Sequence, residues 1–293
     1  MTEKLGFIGL GVMGGHMARH LSGKYDTIVY DIDAGKRESI EKARKAESIT
    51  DVAGYADIVL LSLPSSEIVR DVVTGQLGLA RFLEPGKTVI DTSTTEPTVS
   101  REIAAVLSGN GVDFLDAPVS GGERGAKDAA LAFMVGGTEA VFGRCKPIFN
   151  VIGKSVVLVG EVGSGGVTKL VNNMIVGATF SVIAESFALG MKNGVDPAVI
   201  YAAIKDGWAG SHVLDVAGPG IINQDYTPGG SVDILFKDLG YALSLARSQN
   251  VPVPMTAATD EIFKAARSSG RGPYAQQIII QLWEEMLGID RNS

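Results

Sequence analysis

The chain has 293 residues, which suggests two domains at roughly 150 residues each. The formal net charge is −7, so no basic field exists to release counterions, and nucleic acid is excluded as the main partner. The one cysteine, Cys145, excludes an internal disulfide, a thiolate-rich zinc site and a CxxC redox pair. No metal is expected. His16 and His20 share a helix face, but the intervening acidic residue that a zinc hydrolase needs is absent, and both read as helix-surface residues. Met1-Thr2-Glu3-Lys4 runs into an apolar strand without the apolar region of a signal peptide. Residues 174–191 are interrupted by Ser181, Glu185 and Ser186, so they read as a buried helix rather than a membrane span. A cytoplasmic protein without a membrane partner is the expectation.

In chain order, the first half alternates short β-rich runs with helical patterns. Residues 5–8, 27–30, 58–63, 88–90 and 114–115 read as strands, with helices such as 12–21 and 98–107 between them. Ile58-Val59-Leu60-Leu61 is apolar on both faces, as a central parallel strand covered by helices must be. This order predicts an α/β fold, a doubly wound Rossmann sheet, closed by strands at 132–135 and 156–159. The glycines 160, 163, 165 and 166 mark a junction. A proline-free helical rhythm then runs from 165 to 193, with Val171, Ile175, Ala178 and Val182 on one side and Gly194 as the stop. Asp196-Pro197 starts a further helix, as cap and first helical residue. Helices follow at 234–249, 255–268 and 274–287. The expected organisation is a dinucleotide-binding domain over 1–163 and an all-helical substrate and oligomerisation domain over 164–293, joined by the long helix.

Gly9-Leu10-Gly11-Val12-Met13-Gly14 lies between the first strand and the first helix. Gly9 allows a tight turn, Gly11 lets the backbone approach a pyrophosphate, and Gly14 permits close helix–strand packing. The helix N-terminus offers free N–H groups and its dipole to the anion. Asp31 ends the second strand, where a carboxylate accepts from the adenosine ribose hydroxyls and repels a 2′-phosphate. That favours NAD over NADP, although Lys36 and Arg37 follow closely. The alternative for Asp31 is a turn residue in Asp31-Ile32-Asp33. Leu63-Pro64-Ser65 and Asp91-Thr92-Ser93-Thr94 end two more strands, where ligands collect in such sheets; each is also ordinary turn chemistry.

Lys169 and Asn173 lie one turn apart on the long helix. Apolar company would lower the lysine pKa and make it a usable proton donor, and Asn173 would orient the substrate oxygen. Lys237-Asp238 adds a second lysine. The other reading is a pair of surface lysines with buried stems. Ser120, Gly121 and Gly122 offer a hydroxyl and bare N–H groups that form either a carboxylate nest or a ligand-free glycine loop.

Four segments together, 9–13, 116–122, 163–173 and Lys237-Asp238-Leu239, resemble the β-hydroxyacid dehydrogenase family, in the same order and over nearly the whole chain. The resemblance implies reversible hydride transfer between NAD and a small 3-hydroxy acid. It implies Lys169 as the proton donor or acceptor, Asn173 as the substrate-orienting residue, Ser120, Gly121 and Gly122 as the carboxylate loop, and Lys237 as a lysine reaching substrate and cofactor. It places the cofactor on Gly9, Leu10, Gly11, Val12, Met13, Gly14, Pro64 and Thr94. It further implies a small carboxylate substrate and a homodimer or homotetramer. NADP-preferring relatives often carry Asn-Arg where this chain has Asp31-Ile32. Trp208 and His212 depart from the family beside the expected substrate pocket.

Overall fold

The structure is a computed structural model that describes residues 3–227 and 229–291. Two compact units form, Met1–Lys169 and Leu170–Ser293. In the first, β1 (Leu5–Ile8), α1 (Val12–Ser22), β2 (Thr27–Tyr30), α2 (Ala34–Glu38), β3 (Arg44–Lys45), α3 (Ile49–Tyr55), β4 (Ile58–Leu61), α4 (Ser66–Thr74), β5 (Thr88–Asp91), α5 (Pro97–Gly109) and β6 (Asp113–Asp116) follow one another. Then come β7 (Val119–Ser120), α6 (Gly122–Lys127), β8 (Leu131–Gly136), α7 (Glu139–Ile152) and β9 (Gly153–Gly160). The strand order β3-β2-β1-β4-β5-β6 is parallel throughout, the doubly wound order. β8 continues the sheet antiparallel to β6, with β7 and β9 both paired to it.

Because side chains alternate along a strand, each strand feeds two cores. Leu5, Phe7, Ile58, Leu60 and Ile90 pack with Met17, Ala18 and Leu21 of α1 and with Cys145, Ile148 and Phe149 of α7. Ile8, Val59, Leu61 and Val89 pack instead with Val52 of α3, Val69 and Val73 of α4, and Ile103 and Leu107 of α5. Side-chain caps start several of these helices: Ser48 forms a capping box with Asp51, and Ser65, Thr138 and Asp33 each accept from a first-turn N–H. β4 ends at Leu61 rather than at 63. Ser62 N still bonds Ile8 O, but Leu63 N turns out of the ladder to the Ser93 hydroxyl at 2.8 Å.

The long helix α8 (Ser164–Lys192) crosses from the first unit into the second between Lys169 and Leu170. The second unit continues with α9 (Pro197–Ile204), α10 (His212–Asn223), α11 (Val232–Ser248), α12 (Pro254–Ala266) and α13 (Ile280–Leu287). Gly194, with φ +81°, ends the turn after α8, and Asp196 caps α9 through Ala198 N. The expected helix 274–287 is broken into a 3-10 turn, Gln276–Ile279, and α13. After α12 the chain leaves helical geometry at Ser269 and Gly270.

The reading of α8 as a buried helix is corrected. Its apolar residues run round the whole circumference, and the core of the second unit takes Phe180, Ile183, Ala184, Phe187 and Ala188, with Val176 and Met191 partly buried against it. The stripe that carried the sequence rhythm, Val171, Ile175 and Val182, is exposed, as is Leu189. Among the described residues this is the one helix long and apolar enough to cross a membrane.

Candidate active site

The glycine loop after β1 is shaped by close approach. Gly9 has φ +92°, and a Cβ there would lie 2.3 Å from the Ser62 carbonyl oxygen. A Cβ at Gly14 would lie 2.0 Å from the Gly9 carbonyl oxygen. At Gly11 the reason differs, since a Cβ would meet no atom within 4 Å and would enter the open space before α1. That helix has Gly11 as its N-cap, no side-chain cap and no acidic residue in its first turn. Val12 is exposed, and Leu10 and Met13 pack into the core beneath. Bare backbone at an uncapped helix N-terminus fits a dinucleotide pyrophosphate.

The neighbouring strand ends are braced by carboxylates. Asp31 is buried, and its two oxygens accept from Leu10 N at 2.7 Å and Asp33 N at 2.9 Å. It therefore ties the glycine loop to the end of β2, and the turn Asp31-Ile32-Asp33 is real. Arg37 donates to the Asp31 carbonyl and pairs with Glu47, while the Asp33 carboxylate holds the start of α2. Asp91, at the end of β5, accepts from Ser93 N and the Thr95 hydroxyl. Thr94 is thereby held half-buried between two buried neighbours, and Pro64 is exposed.

After β6 the chain passes Asp116 and enters the Ser120 loop. Ser120 pairs with Ala132 of β8, and Gly121 (φ +132°) and Gly122 (φ +60°) stand exposed at the start of α6. This helix packs against α1. His20 Nε2 lies 2.9 Å from the Lys127 carbonyl, and His16 Nε2 lies 3.7 Å from Glu123. Both histidines are half-buried here, which corrects their reading as helix-surface residues: α6 covers that face. The buried Asp116 carboxylate accepts from Gly163 N at 2.7 Å and Gly166 N at 2.8 Å. Burial pushes its pKa up to about 6, against the opposing pull of those two N–H groups.

Lys169 is half-buried on α8, one turn before the buried Asn173. In the second unit Asn173 Nδ2 donates to Asp238 at 2.6 Å, and Asn173 Oδ1 accepts from Asn172 at 2.9 Å. The other Asp238 oxygen accepts from Lys237 Nζ at 2.7 Å, and that ammonium also sits over the Tyr241 ring. Asp238 thus joins Asn173 to Lys237. The reading of Lys237-Asp238 as a charged pair matches this contact. Trp208 is fully exposed and His212 is exposed at the start of α10. Sequence reasoning did not find the bracing roles of Asp91 and Asp116 or the bridging role of Asp238. The available signal was an aspartate closing an apolar run, or following a lysine within one.

Comparisons with known proteins cover nearly the whole chain. The family model for the NAD binding domain of 6-phosphogluconate dehydrogenase matches residues 4–160. The model for the NAD-binding domain of NADP-dependent 3-hydroxyisobutyrate dehydrogenase matches residues 163–283. A 2-(hydroxymethyl)glutarate dehydrogenase of Eubacterium barkeri is 36% identical, over 98% of this chain and 96% of that protein. The 2-hydroxy-3-oxopropionate reductase of Escherichia coli (strain K12) is 35% identical, over 97% of this chain and 98% of that protein. The solved structure of Mycobacterium tuberculosis 3-hydroxyisobutyrate dehydrogenase with L-serine superposes with a TM-score of 0.88 at 28% identity, covering 96% of this chain and 99% of that one. Matched by these two family models in turn and by relatives 35–36% identical over 97–98% of its length, the chain belongs to the β-hydroxyacid dehydrogenase family and is an NAD-dependent oxidoreductase acting on a CH–OH donor.

Proposed function

We propose that the enzyme interconverts tartronate semialdehyde and D-glycerate, with NAD preferred over NADP. The mechanism rests on one observation above the rest: Lys169 and Asn173 stand one turn apart on α8, with the Asn173 amide already oriented by Asp238. The Gly9–Gly14 loop at the N-terminus of α1 would hold the dinucleotide, which would supply hydride to the carbonyl carbon in reduction and accept it in oxidation. In reduction, Lys169 gives its proton to the carbonyl oxygen as that oxygen becomes a hydroxyl. Asn173 orients the same oxygen. The Ser120 hydroxyl and the Gly121 and Gly122 N–H groups hold the substrate carboxylate. Positioning of the two reactants supplies much of the acceleration.

Segment 116–123, Ala209-Gly210-Ser211 with Val213-Leu214-Asp215, and Lys237-Asp238-Leu239 support this choice of substrate, beside the 35% identity to the Escherichia coli reductase. The Asp31 and Asp33 carboxylates after β2, with Ile32 exposed between them, support NAD. The exposed stripe Val171, Ile175, Val182 and Leu189 supports a homodimer or homotetramer.

The test is oxidation of NADH and NADPH against a panel of semialdehydes, run beside oxidation of the matching hydroxy acids, including 3-hydroxyisobutyrate, 3-hydroxypropionate, L-threonate, L-serine and 2-(hydroxymethyl)glutarate. The highest kcat/KM is expected with tartronate semialdehyde and NADH. A higher value with another acid moves the substrate and keeps the mechanism. Lys169→Ala should lose about 10²- to 10⁴-fold in kcat while NADH still binds; parental turnover in that variant refutes the role of Lys169.

A further inference from the structure

Asp116 sits where two pieces of the first unit meet. On its own side, the chain from Asp116 to Ser120 is pinned at every step: Asp116 pairs with Gly136, Ala117 N bonds Asp91 O, Met134 N bonds Pro118 O, and Ser120 pairs with Ala132. On the other side, Gly163 N and Gly166 N begin α8, and Lys169 follows Gly166 by three residues, nearly one turn. The space around the carboxylate exists only because its neighbours are glycines. A Cβ at Gly136 would lie 2.3 Å from Asp116 Oδ1, and one at Gly165 would lie 2.9 Å from Oδ2. Asp91 of β5 stands in register beside Asp116, and the Arg101 guanidinium of α5 packs against Gly163. A buried carboxylate with only backbone partners is costly to desolvate, and its burial does raise its pKa. An asparagine would avoid that desolvation but would bring an oxygen to only one of the two N–H groups, so only a carboxylate ties both.

We propose that Asp116 is a positioning residue for the reaction: by holding Gly163 N and Gly166 N with its two oxygens, it fixes Lys169 relative to the Ser120-Gly121-Gly122 carboxylate loop. This inference rests on the proposed role of Lys169. The carboxylate never touches substrate. It sets the distance between the group that binds the acid end and the group that protonates the reacting oxygen, and misplacement of about 1 Å costs about 10²-fold in such reactions.

The experiment compares the parental enzyme with Asp116→Asn and Asp116→Glu. Asparagine keeps the shape but offers one acceptor to two N–H groups; glutamate keeps the charge but moves it. The readouts are kcat and KM for the semialdehyde, the NADH dissociation constant by fluorescence, and the thermal midpoint. Both variants should lose about 10- to 100-fold in kcat, with NADH affinity within about twofold of the parent and a single cooperative thermal transition in each. Parental kcat in both variants overturns the proposal. So does full rescue by glutamate, which would make the charge rather than its place the cause. Failure of both variants to fold overturns it as well, since the carboxylate would then be a folding determinant. Lys169→Ala assayed alongside separates the two readings. If it turns over like the parent, the role of Lys169 has failed. If it is silent while both Asp116 variants keep parental kcat, only the positioning role has failed.

Discussion

Asp116 makes a stability prediction whose sign runs against ordinary acid denaturation. Its folded pKa is raised from the ordinary 3.8 to about 6, chiefly by burial, so between those values the folded chain holds a proton that the unfolded chain has released. Stability from this group is therefore fully present below the unfolded pKa and is lost as pH rises through the folded one. At about 1.4 kcal/mol per pH unit, the span from 3.8 to about 6 amounts to about 3 kcal/mol. Between pH 7.5 and pH 5 the two-state binding expression gives about 1.4 kcal/mol of that total. Other groups titrate over the same range, so the quantity to measure is a difference. Urea unfolding of the parent and of Asp116→Asn at both pH values yields two free-energy differences. The parent should gain on the variant by about 1.4 kcal/mol on going to pH 5. A difference that stays constant within about 0.3 kcal/mol, or that moves the other way, refutes the claim that Asp116 is held against its ionisation.

Other expectations concern the cofactor loop and the second unit. Gly14→Ala drives a Cβ into the Gly9 carbonyl and should destabilise the protein by about 1–3 kcal/mol, read as a lower urea midpoint. Gly11→Ala meets no protein atom; it should leave the urea midpoint unchanged while weakening NADH binding at least tenfold by fluorescence titration, and unchanged binding would show that the pyrophosphate does not approach there. Asp238→Ala removes the shared partner of Asn173 and Lys237. It should raise KM for the semialdehyde by about tenfold or more, since a charge-assisted hydrogen bond contributes about 1.5–3 kcal/mol, with the NADH dissociation constant within twofold of the parent.

Most of the first unit was legible because its signals are local. The fingerprint Gly9–Gly14 sits between an apolar strand and a helix start, and the parallel strands at 5–8, 27–30, 58–61, 88–91 and 113–116 fell within two residues of their expected places, while the short β3 and β7 were not expected and β9 starts three residues early. Gly194 and Asp196-Pro197 marked a stop and a start through backbone preferences that need no tertiary context. What escaped is non-local. Asp116 reaches backbone groups 47 and 50 residues away, and Asn173 reaches Asp238 across 65; no spacing rule spans such distances. α8 was misread for a different reason. A helix apolar on every side has no preferred face to read from its sequence, so the rhythm through Val171, Ile175 and Val182 described the exposed stripe as readily as the buried one. His16 and His20 look like surface residues until α6, whose six residues carry almost no helical pattern, covers them.

Asp31, Asp91 and Asp116 share one habit: each closes a strand and spends its carboxylate on the backbone or a hydroxyl of a loop beyond it. The loops that face ligands are therefore stapled before any ligand arrives. Ordering a free loop on binding would consume part of the interaction energy, whereas here that ordering is done during folding. The arrangement also separates frame from contact. Ile32, exposed between the anchored carboxylates of Asp31 and Asp33, presents its side chain from a backbone that is already held. A lineage built on this frame can retune which small acid or which dinucleotide it accepts by single side-chain replacements, while the three aspartates hold the loops still.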